Sequence, residues 1–436
     1  MLNTRNKIIL VDNRVDHLDT LSNVFFNEKI GCLPILYEST YDNPLDGIRL
    51  AFFDINLLDS GTDTQMIATV VDALTKYISA DNGPYALIFW TDRKTLIPQI
   101  SNYINQRQID VPKPLVIDCI DKDVFYDDAS LLLNKLKEIF ANPTLNVLID
   151  FENVVTNAAT KTVNQFFEII PSNDKWGKSK DYVHNFERIF SSLAVSSSGF
   201  HNAKTNPDKA VYSTLNQTLK FHIENSTNSN NWKNILTSLN NAVLPSNISK
   251  VARFNYFQLN NLIHIDREIS NLQKEDRGVV IVLDKNYLRN YGLTFRKFYD
   301  AMIKFRKRDK ENESAKILRL IHSSKLVCIE ISASCDHSQR SNRINKYIFG
   351  IITRKMKSKD YEHNNNSIPA NSVCVLNYLD NNQEKQIWVN YNYVVGLKTD
   401  DNNLGEILFR LKGEMINQIG NRYANHVSRI GITSFR

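Results

Sequence analysis

The segment FFDINLLDSG, residues 52–61, decides how the first third of this 436-residue chain folds. It overlaps an apolar run, IRLAFFD at 48–54, which passes directly into a polar turn at Asp54. Apolar runs without polar alternation are typical of parallel strands that are buried on both faces of a sheet. The segment therefore predicts a buried strand whose carboxyl end presents a carboxylate.

Similar short apolar runs lie on both sides of this segment, and helical periodicity separates most of them. Apolar residues spaced by three and four predict helices at 14–29, 64–79, 95–107 and 129–140. The runs that predict the other strands are KIILVD (7–12), LPILYES (33–39), ALIFWTD (86–92) and PLVIDCI (114–120). This alternation predicts a doubly wound parallel α/β sheet, in which the helix between the second and third strands is missing or reduced to a loop at 40–47.

The pattern changes after residue 142 and again near residue 250. It predicts three parts: an α/β domain at 1–142, a mainly helical region at 143–250 and an α+β C-terminal domain at 251–436. In the middle part, helical spacing at 146–170, 182–195 and 211–224 precedes an Asn- and Ser-rich stretch at 225–249, which predicts a loop or linker. In the last part, strands are predicted at 278–284, 325–332, 347–353, 372–379 and 386–397, followed by a helix at 404–419.

Composition excludes several classes of protein. Hydrophobic residues make up 42% and charged residues 23%, which is typical of a soluble globular chain. The apolar runs are too short to span a bilayer, and no signal peptide is visible, so no membrane association is expected. The five cysteines are scattered and form no CxxC pair, which indicates a reducing, cytoplasmic setting.

Charge is distributed unevenly along the chain. The formal net charge is +6, yet residues 1–140 hold 13 Lys and Arg against 20 Asp and Glu. Residues 285–359 hold 19 Lys and Arg against 6 Asp and Glu. An acidic module suits a cation, whereas a basic segment suits phosphate, nucleic acid or an acidic protein.

Polar side chains lie at the ends of four predicted strands. Asp12 and Asn13 end the first strand, Asp54 the third and Thr91 the fourth, and Lys122 follows the fifth. Ligands bind at the carboxyl ends of the strands in such sheets. The sequence therefore predicts that two carboxylates, an amide, a hydroxyl and an amine meet at one edge.

With these residues, the first 140 positions resemble the receiver domain of response regulators, a flavodoxin-like module that accepts a phosphoryl group on an aspartate. The resemblance implies that Asp54 is the phosphoacceptor and that Thr91 and Lys122 contact the phosphoryl oxygens. It also implies a Mg²⁺ cofactor held by Asp12, Asn13 and Asp54. A divalent cation and an ammonium are the groups that offset the charge of a transferring phosphoryl group.

Two positions depart from the family pattern. Asn13 stands where the family has a second acid, so the Mg²⁺ site should be weak, because Mg²⁺ is usually bound through carboxylates. Asp123 follows Lys122 where the family has proline. These departures favour a pseudo-receiver, which is a degenerate domain kept for docking. A different doubly wound fold with ordinary polar strand ends is the other alternative.

The later chain resembles the bacterial response receiver domain proteins, through LVCIEISASCDHSQ (326–339), the predicted strands near 386–397 and the terminal ILFRLKGEMI…NHVSRIGITSF (407–435). Taken with the receiver motif, the resemblance covers most of the chain. Many of those proteins belong to defence-type gene clusters, and some accompany histidine-kinase-like ATPases of the GHKL type. The resemblance implies a non-catalytic signalling component of a bacterial antiviral defence or stress system. It also implies that a GHKL ATPase is the protein partner.

The basic run KFRKRDK (304–310) suggests a second function. Its residues Lys304, Arg306, Lys307 and Arg308 follow several aromatic residues, a pattern compatible with nucleic-acid binding by a regulator. A solvated face or a surface for an acidic protein explains the same residues. A salt-dependent gel shift would favour the regulator.

The motif Cys335-Asp336-His337 suggests a third function, an effector enzyme. Cys335 and His337 would share a face of an extended segment, and a nucleophilic cysteine needs a base within hydrogen-bonding reach. The simpler interpretation is a strand-to-turn junction with a buried cysteine and a turn-forming aspartate. Loss of activity in Cys335→Ala, with folding intact, would favour the enzyme.

Overall fold

The computed structural model describes residues 7–58, 60–122, 124, 129–170, 180–226, 230–236, 256–303, 312–333, 344–356 and 372–428. The chain divides into two compact units. The first unit takes in residues 1–163 and 219–238, and the second takes in residues 164–218 and 239–436. The predicted domain boundaries at 142 and 250 remain a prediction.

The first unit contains a five-stranded sheet in which every pair of strands is parallel. Its strands are β1 Ile8–Asp12, β2 Leu33–Leu36, β3 Leu50–Phe53, β4 Ala86–Trp90 and β5 Val116–Ile120. Its helices are α1 Val15–Asn27, α2 Asp63–Tyr77, α3 Ile97–Arg107 and α4 Ala129–Phe140, with a short 3₁₀ turn at Lys94–Leu96. The strands lie in the order β2-β1-β3-β4-β5. The predicted parallel α/β sheet is confirmed, and the described stretch between β2 and β3 contains no helix.

Both faces of this sheet are covered, which explains why its central strands are apolar throughout. Neighbouring residues of a strand point to opposite faces. Phe53 accordingly belongs to one core with Val70 of α2, whereas Phe52 belongs to the other core, where its ring meets that of Phe25 edge-on at 5.8 Å. Each buried phenylalanine contributes roughly 1.5–3 kcal/mol to folding.

An ordered loop, residues 37–49, lies where the alternation lacks a helix. Tyr41 stacks on Tyr77 of α2 at 4.2 Å between ring centroids, with the planes 3° apart. The Tyr77 hydroxyl accepts a hydrogen bond from the Glu38 backbone amide at 2.9 Å. The Leu45 amide donates to the Tyr77 carbonyl at 2.9 Å. One tyrosine thus holds the loop against α2 and keeps this side of the sheet covered.

Helix α5, Pro143–Ile169, is joined by ion pairs to the end of the parallel sheet at which the strands begin. Glu152 accepts a hydrogen bond from Arg49 Nε at 2.8 Å and lies 3.0 Å from Lys7 Nζ. Arg49 precedes β3 and Lys7 precedes β1, so one carboxylate joins the helix to two strands. Burial raises the pKa of Glu152, but Arg49 and Lys7 outweigh burial and hold its pKa below the ordinary value of 4.5.

We expect Glu152→Gln to lower the free energy of unfolding by about 1 kcal/mol near neutral pH. A carboxyl whose pKa is lowered by folding contributes stability above its unfolded pKa, and that stability is lost as pH falls through the folded value. The difference between wild type and variant should therefore shrink below pH 4.5. Urea denaturation across acidic pH measures it. Glu138→Gln, which removes an exposed pair with Lys135, is the control and should change little.

Helices make up most of the described middle of the chain. They are the remainder of α5, then α6 Lys180–Ser198, α7 Phe200–Thr205, α8 Pro207–Glu224 and α9 Asn230–Ile235. The prediction of a loop at 225–249 is wrong for residues 230–235, which form helix α9. In that short helix the Asn231 side chain donates to Asp150 Oδ2 of α5 at 2.6 Å, a tertiary contact that local composition does not reveal.

The second unit contains a seven-stranded antiparallel sheet in the order β10-β11-β9-β8-β7-β12-β6. Its strands are β6 Ile265–Asp266, β7 Val279–Leu283, β8 Lys325–Glu330, β9 Asn345–Arg354, β10 Ser372–Asp380, β11 Gln383–Leu397 and β12 Leu404–Leu411. Its helices include α10 Tyr256–His264, α11 Phe295–Met302, α12 Asn312–Ser323 and α13 Gly413–Val427, with a 3₁₀ turn at Lys285–Tyr291. No helix that the structure describes is both long and apolar enough to cross a bilayer.

The predicted helix at 404–419 is wrong in its first half. Residues 404–411 form β12, which pairs with the buried strand β7, and the helix begins only at Gly413. Over so short a run, the spacing of the apolar residues in 404–411 is compatible with a helix and with a strand, because periodicity alone does not distinguish the two. Pairing with β7 decides for the strand. Gly405 fits this pairing, since a Cβ there would lie 3.0 Å from the Val282 carbonyl oxygen.

Side chains next to one edge strand of this sheet, β6, contact the other edge strand, β10. Helix α10 runs directly into β6, yet its Asn261 donates to the Leu379 carbonyl of β10 at 2.8 Å and accepts from the Leu379 amide at 3.1 Å. Arg267, just after β6, donates to the same carbonyl at 2.6 Å. These side chains satisfy backbone groups that an edge strand would otherwise expose for pairing.

Candidate functional site

The structure brings three of the predicted site residues into direct contact at the carboxyl edge of the parallel sheet. Lys122 Nζ lies 2.9 Å from Asp12 Oδ2 and 2.7 Å from Asp54 Oδ2. The three side chains are buried, with 7%, 3% and 2% of their surface exposed in that order. Because β1 and β3 are neighbours, their two carboxylates come close enough to share one ammonium.

A fourth group, His17, completes this cluster and was missed by the sequence analysis. Its Nδ1 lies 3.0 Å from Lys122 Nζ and 3.2 Å from Asp12 Oδ2. The only sequence signal is its position in the first turn of α1, five residues after Asp12. An ammonium carries only donors. Nδ1 accepts from Lys122 when it carries no proton, whereas a protonated Nδ1 donates to Asp12 Oδ2.

The backbone holds the second oxygen of each carboxylate. The Arg14 amide donates to Asp12 Oδ1 at 2.9 Å, and the Asn56 amide donates to Asp54 Oδ1 at 3.1 Å. Each carboxylate therefore turns one oxygen to a backbone amide and the other to Lys122. These contacts come from the turns that follow β1 and β3.

The electrostatics of Asp54 are dominated by its burial. Burial raises the pKa of the Asp54 carboxyl, and the nearby Asp12 charge adds to that effect. Lys122 acts in the opposite direction through its charge and its hydrogen bond, but burial prevails. The site therefore depends on Lys122 to keep two carboxylates together away from water.

Thr91 and Asn13 lie at the same edge of the sheet but outside the cluster of Asp12, Asp54, Lys122 and His17. Thr91 is fully buried, and its hydroxyl accepts a hydrogen bond from the Arg93 amide at 3.1 Å. Among the described residues, no hydrogen bond joins Thr91 to Asp54 or Lys122. Asn13 is half-buried and begins the turn from β1 to α1.

The ligand atoms of Asp12, His17 and Asp54 all lie within 4.8 Å of one another. Two carboxylates and an imidazole are a chemically suitable set for a divalent cation. This set differs from the predicted Asp12, Asn13 and Asp54 in having His17 as a member. The predicted magnesium site remains a prediction.

Other predicted site residues lie outside the described residues. They are the basic residues Lys304, Arg306, Lys307 and Arg308 and the motif Cys335, Asp336 and His337. Nucleic-acid binding and cysteine-based catalysis accordingly remain predictions. The four described cysteines, Cys32, Cys119, Cys328 and Cys374, are free thiols. Burial raises the pKa of all four, to about 11 for Cys119 and about 12 for Cys374, so none of these four is an activated thiolate.

Comparison of the chain with protein-family models, with curated proteins and with solved structures finds no match.

Proposed function

We propose that the first unit is a degenerate receiver domain that signals by binding a protein partner, without phosphoryl transfer. The observation that carries this proposal is the buried Asp12–Lys122–Asp54 cluster at the carboxyl edge of the parallel sheet. The strand order 2-1-3-4-5 supports a flavodoxin-like fold, because that order is one of the two common doubly wound arrangements.

The same cluster argues against Asp54 as a working phosphoacceptor. A carboxylate nucleophile has to reach the incoming phosphorus atom in line with its leaving group. The Asp54 side chain is only 2% exposed, and its two oxygens already accept hydrogen bonds from Lys122 and the Asn56 amide. Burial also raises the pKa of the Asp54 carboxyl.

The proposed setting follows from the resemblances described above. It is a bacterial antiviral defence or stress system in the cytoplasm, with a histidine-kinase-like ATPase of the GHKL type as partner. In this scheme the acidic first unit docks, and the remainder of the chain transmits or executes the response. The chain itself then needs no catalytic residue.

The proposal predicts that Asp54→Asn keeps its function in the native host. The amide has the shape of the carboxylate, and its oxygen can still accept from Lys122, but it cannot form an acyl phosphate. Complementation of a deletion strain by wild type, Asp54→Asn and Asp54→Ala measures this. Abundance of each variant is followed in the same cells.

Two further variants calibrate this assay. Asp118→Asn changes an aspartate of β5 that pairs with Lys135, and it should behave as wild type. Val70→Asp puts a charge into the fully buried core of the first unit and should abolish function. Loss of function in both Asp54 variants at normal abundance would overturn the proposal and make Asp54 a phosphoacceptor.

A further inference from the structure

The ammonium of Lys122 is saturated by the groups around it. An ammonium has three N–H donors. Lys122 Nζ has three acceptors within 3.0 Å, namely Asp12 Oδ2, Asp54 Oδ2 and His17 Nδ1. With His17 Nδ1 unprotonated, each donor has one acceptor, and two of the three acceptors are carboxylate oxygens.

The residues that supply these three atoms are also the ones suited to bind a divalent cation. Asp12, His17 and Asp54 form the group whose ligand atoms lie within 4.8 Å of one another. Metal–ligand distances are about 2.0–2.1 Å for Mg²⁺. Lys122 Nζ already lies 2.7–3.0 Å from an oxygen or nitrogen of each of the three residues, so it takes up the space that such an ion would need.

The lysine is also difficult to displace. Its side chain is 7% exposed, so an ammonium pushed from the cluster would lose its three partners in a buried place. The second oxygens of the two carboxylates are held by the Arg14 and Asn56 amides, which keeps the remaining oxygens turned to Nζ. A divalent ion beside the ammonium would in addition meet like-charge repulsion. The site as folded therefore does not fit a metal ion.

We infer that Lys122 is the resident cation of this site and excludes a divalent metal ion from it. The inference deepens the proposed function and rests on it, because a site whose two acids share an internal ammonium needs no metal to hold them together. It also makes a specific claim about the other three side chains. Once Lys122 is removed, Asp12, His17 and Asp54 should form a metal site of mixed oxygen and nitrogen ligands.

The test is Mn²⁺ binding to the full-length protein, followed by the electron paramagnetic resonance signal of free Mn²⁺. Mg²⁺ binding is measured in parallel by calorimetry. Wild type should show no binding that depends on Asp54 at concentrations up to about 1 mM, the range of weak protein sites for such ions. Lys122→Met should bind Mn²⁺ at least about tenfold more tightly than wild type and Mg²⁺ less tightly than Mn²⁺, because imidazole favours transition metals.

Matched variants assign the binding to this site. Lys135→Met removes a lysine from another ion pair of the same unit and should behave as wild type. Adding Asp54→Asn or His17→Leu to Lys122→Met should remove the gain. Thermal unfolding of Lys122→Met should shift upwards with Mn²⁺, whereas that of wild type should not.

Two outcomes would overturn the inference. One is Asp54-dependent binding of Mn²⁺ or Mg²⁺ by wild type at concentrations below about 1 mM. This wild-type measurement tests the inference even if Lys122→Met does not fold. The other is a folded Lys122→Met that binds no more tightly than wild type. Both measurements use purified protein, so either failure is distinct from failure of the proposed function, which is judged by complementation in the host.

Discussion

Replacing Lys122 by methionine is expected to lower the free energy of unfolding of the first unit by about 3–5 kcal/mol in metal-free buffer. Methionine fills most of the lysine volume, so the loss comes from charge and not from packing. Asp12 and Asp54 then remain buried, with carboxylate oxygens within 4.8 Å and no ammonium between them. Removing one partner of a buried ion pair leaves an uncompensated charge, which accounts for the size of the effect.

Hydrogen exchange followed by mass spectrometry measures this loss locally. Peptides that cover β3 and β4 should lose protection in Lys122→Met, and each tenfold loss corresponds to about 1.4 kcal/mol. The control Lys135→Met should cost about 0–1 kcal/mol, because its side chain is 33% exposed and its pairs are screened by water. Equal losses in the two variants would show that the cluster has no special role in stability.

The second large effect is expected in the other unit, at Gly278. Its φ of +89° is a conformation that costs an L-residue about 1–2 kcal/mol. A Cβ there would also lie 2.5 Å from the Leu411 carbonyl oxygen of β12. Forcing extra atoms into such a place costs typically about 1–3 kcal/mol more. Gly278→Ala should therefore destabilise the antiparallel sheet by about 2–5 kcal/mol.

Gly278 cannot relieve this contact by moving, because its backbone joins two strands. Its amide donates to the Glu330 carbonyl of β8 at 3.0 Å, and its carbonyl accepts from the Leu411 amide at 2.8 Å. Gly292 is a matched control, since it also has a positive φ, +68°, but a Cβ there would meet nothing within 4 Å. Gly292→Ala should cost only the conformational part, about 1–2 kcal/mol.

Protection of β7 and β12 in hydrogen exchange compares the two glycine variants. A loss at Gly278 no larger than that at Gly292 would contradict the steric argument and leave only the backbone conformation as its cause. A larger loss confined to these strands would support it.

Much of the first unit follows from local sequence. Its apolar runs and the helical spacing between them predict the sheet correctly, because strands buried on both faces cannot carry alternating polar residues. Asp12 and Asp54 are expected at one edge of the sheet for a second reason: both follow strands that run in the same direction, so the carboxyl ends of these strands lie at the same edge. Placing Lys122 there requires only that it follow the last strand.

The antiparallel sheet shows where local pattern is insufficient. Residues 404–411 are compatible with a helix by their spacing, and they become β12 only because β7 offers a partner. The strand order and the bridging of the sheet edges by Asn261 and Arg267 depend on contacts more than 100 residues apart in the chain. Local propensity carries no information about such pairings.

By itself, the sequence determined the parallel α/β sheet and the residue types at its carboxyl edge. Only the tertiary structure decided that Lys122 lies against both acids at once and that His17 joins them. The physical reason is that these contacts depend on how α1 and the β5 turn pack against the sheet, to within a fraction of a hydrogen-bond length. The spacing of residues along the chain specifies which elements form, but the charge balance of the site arises from their packing.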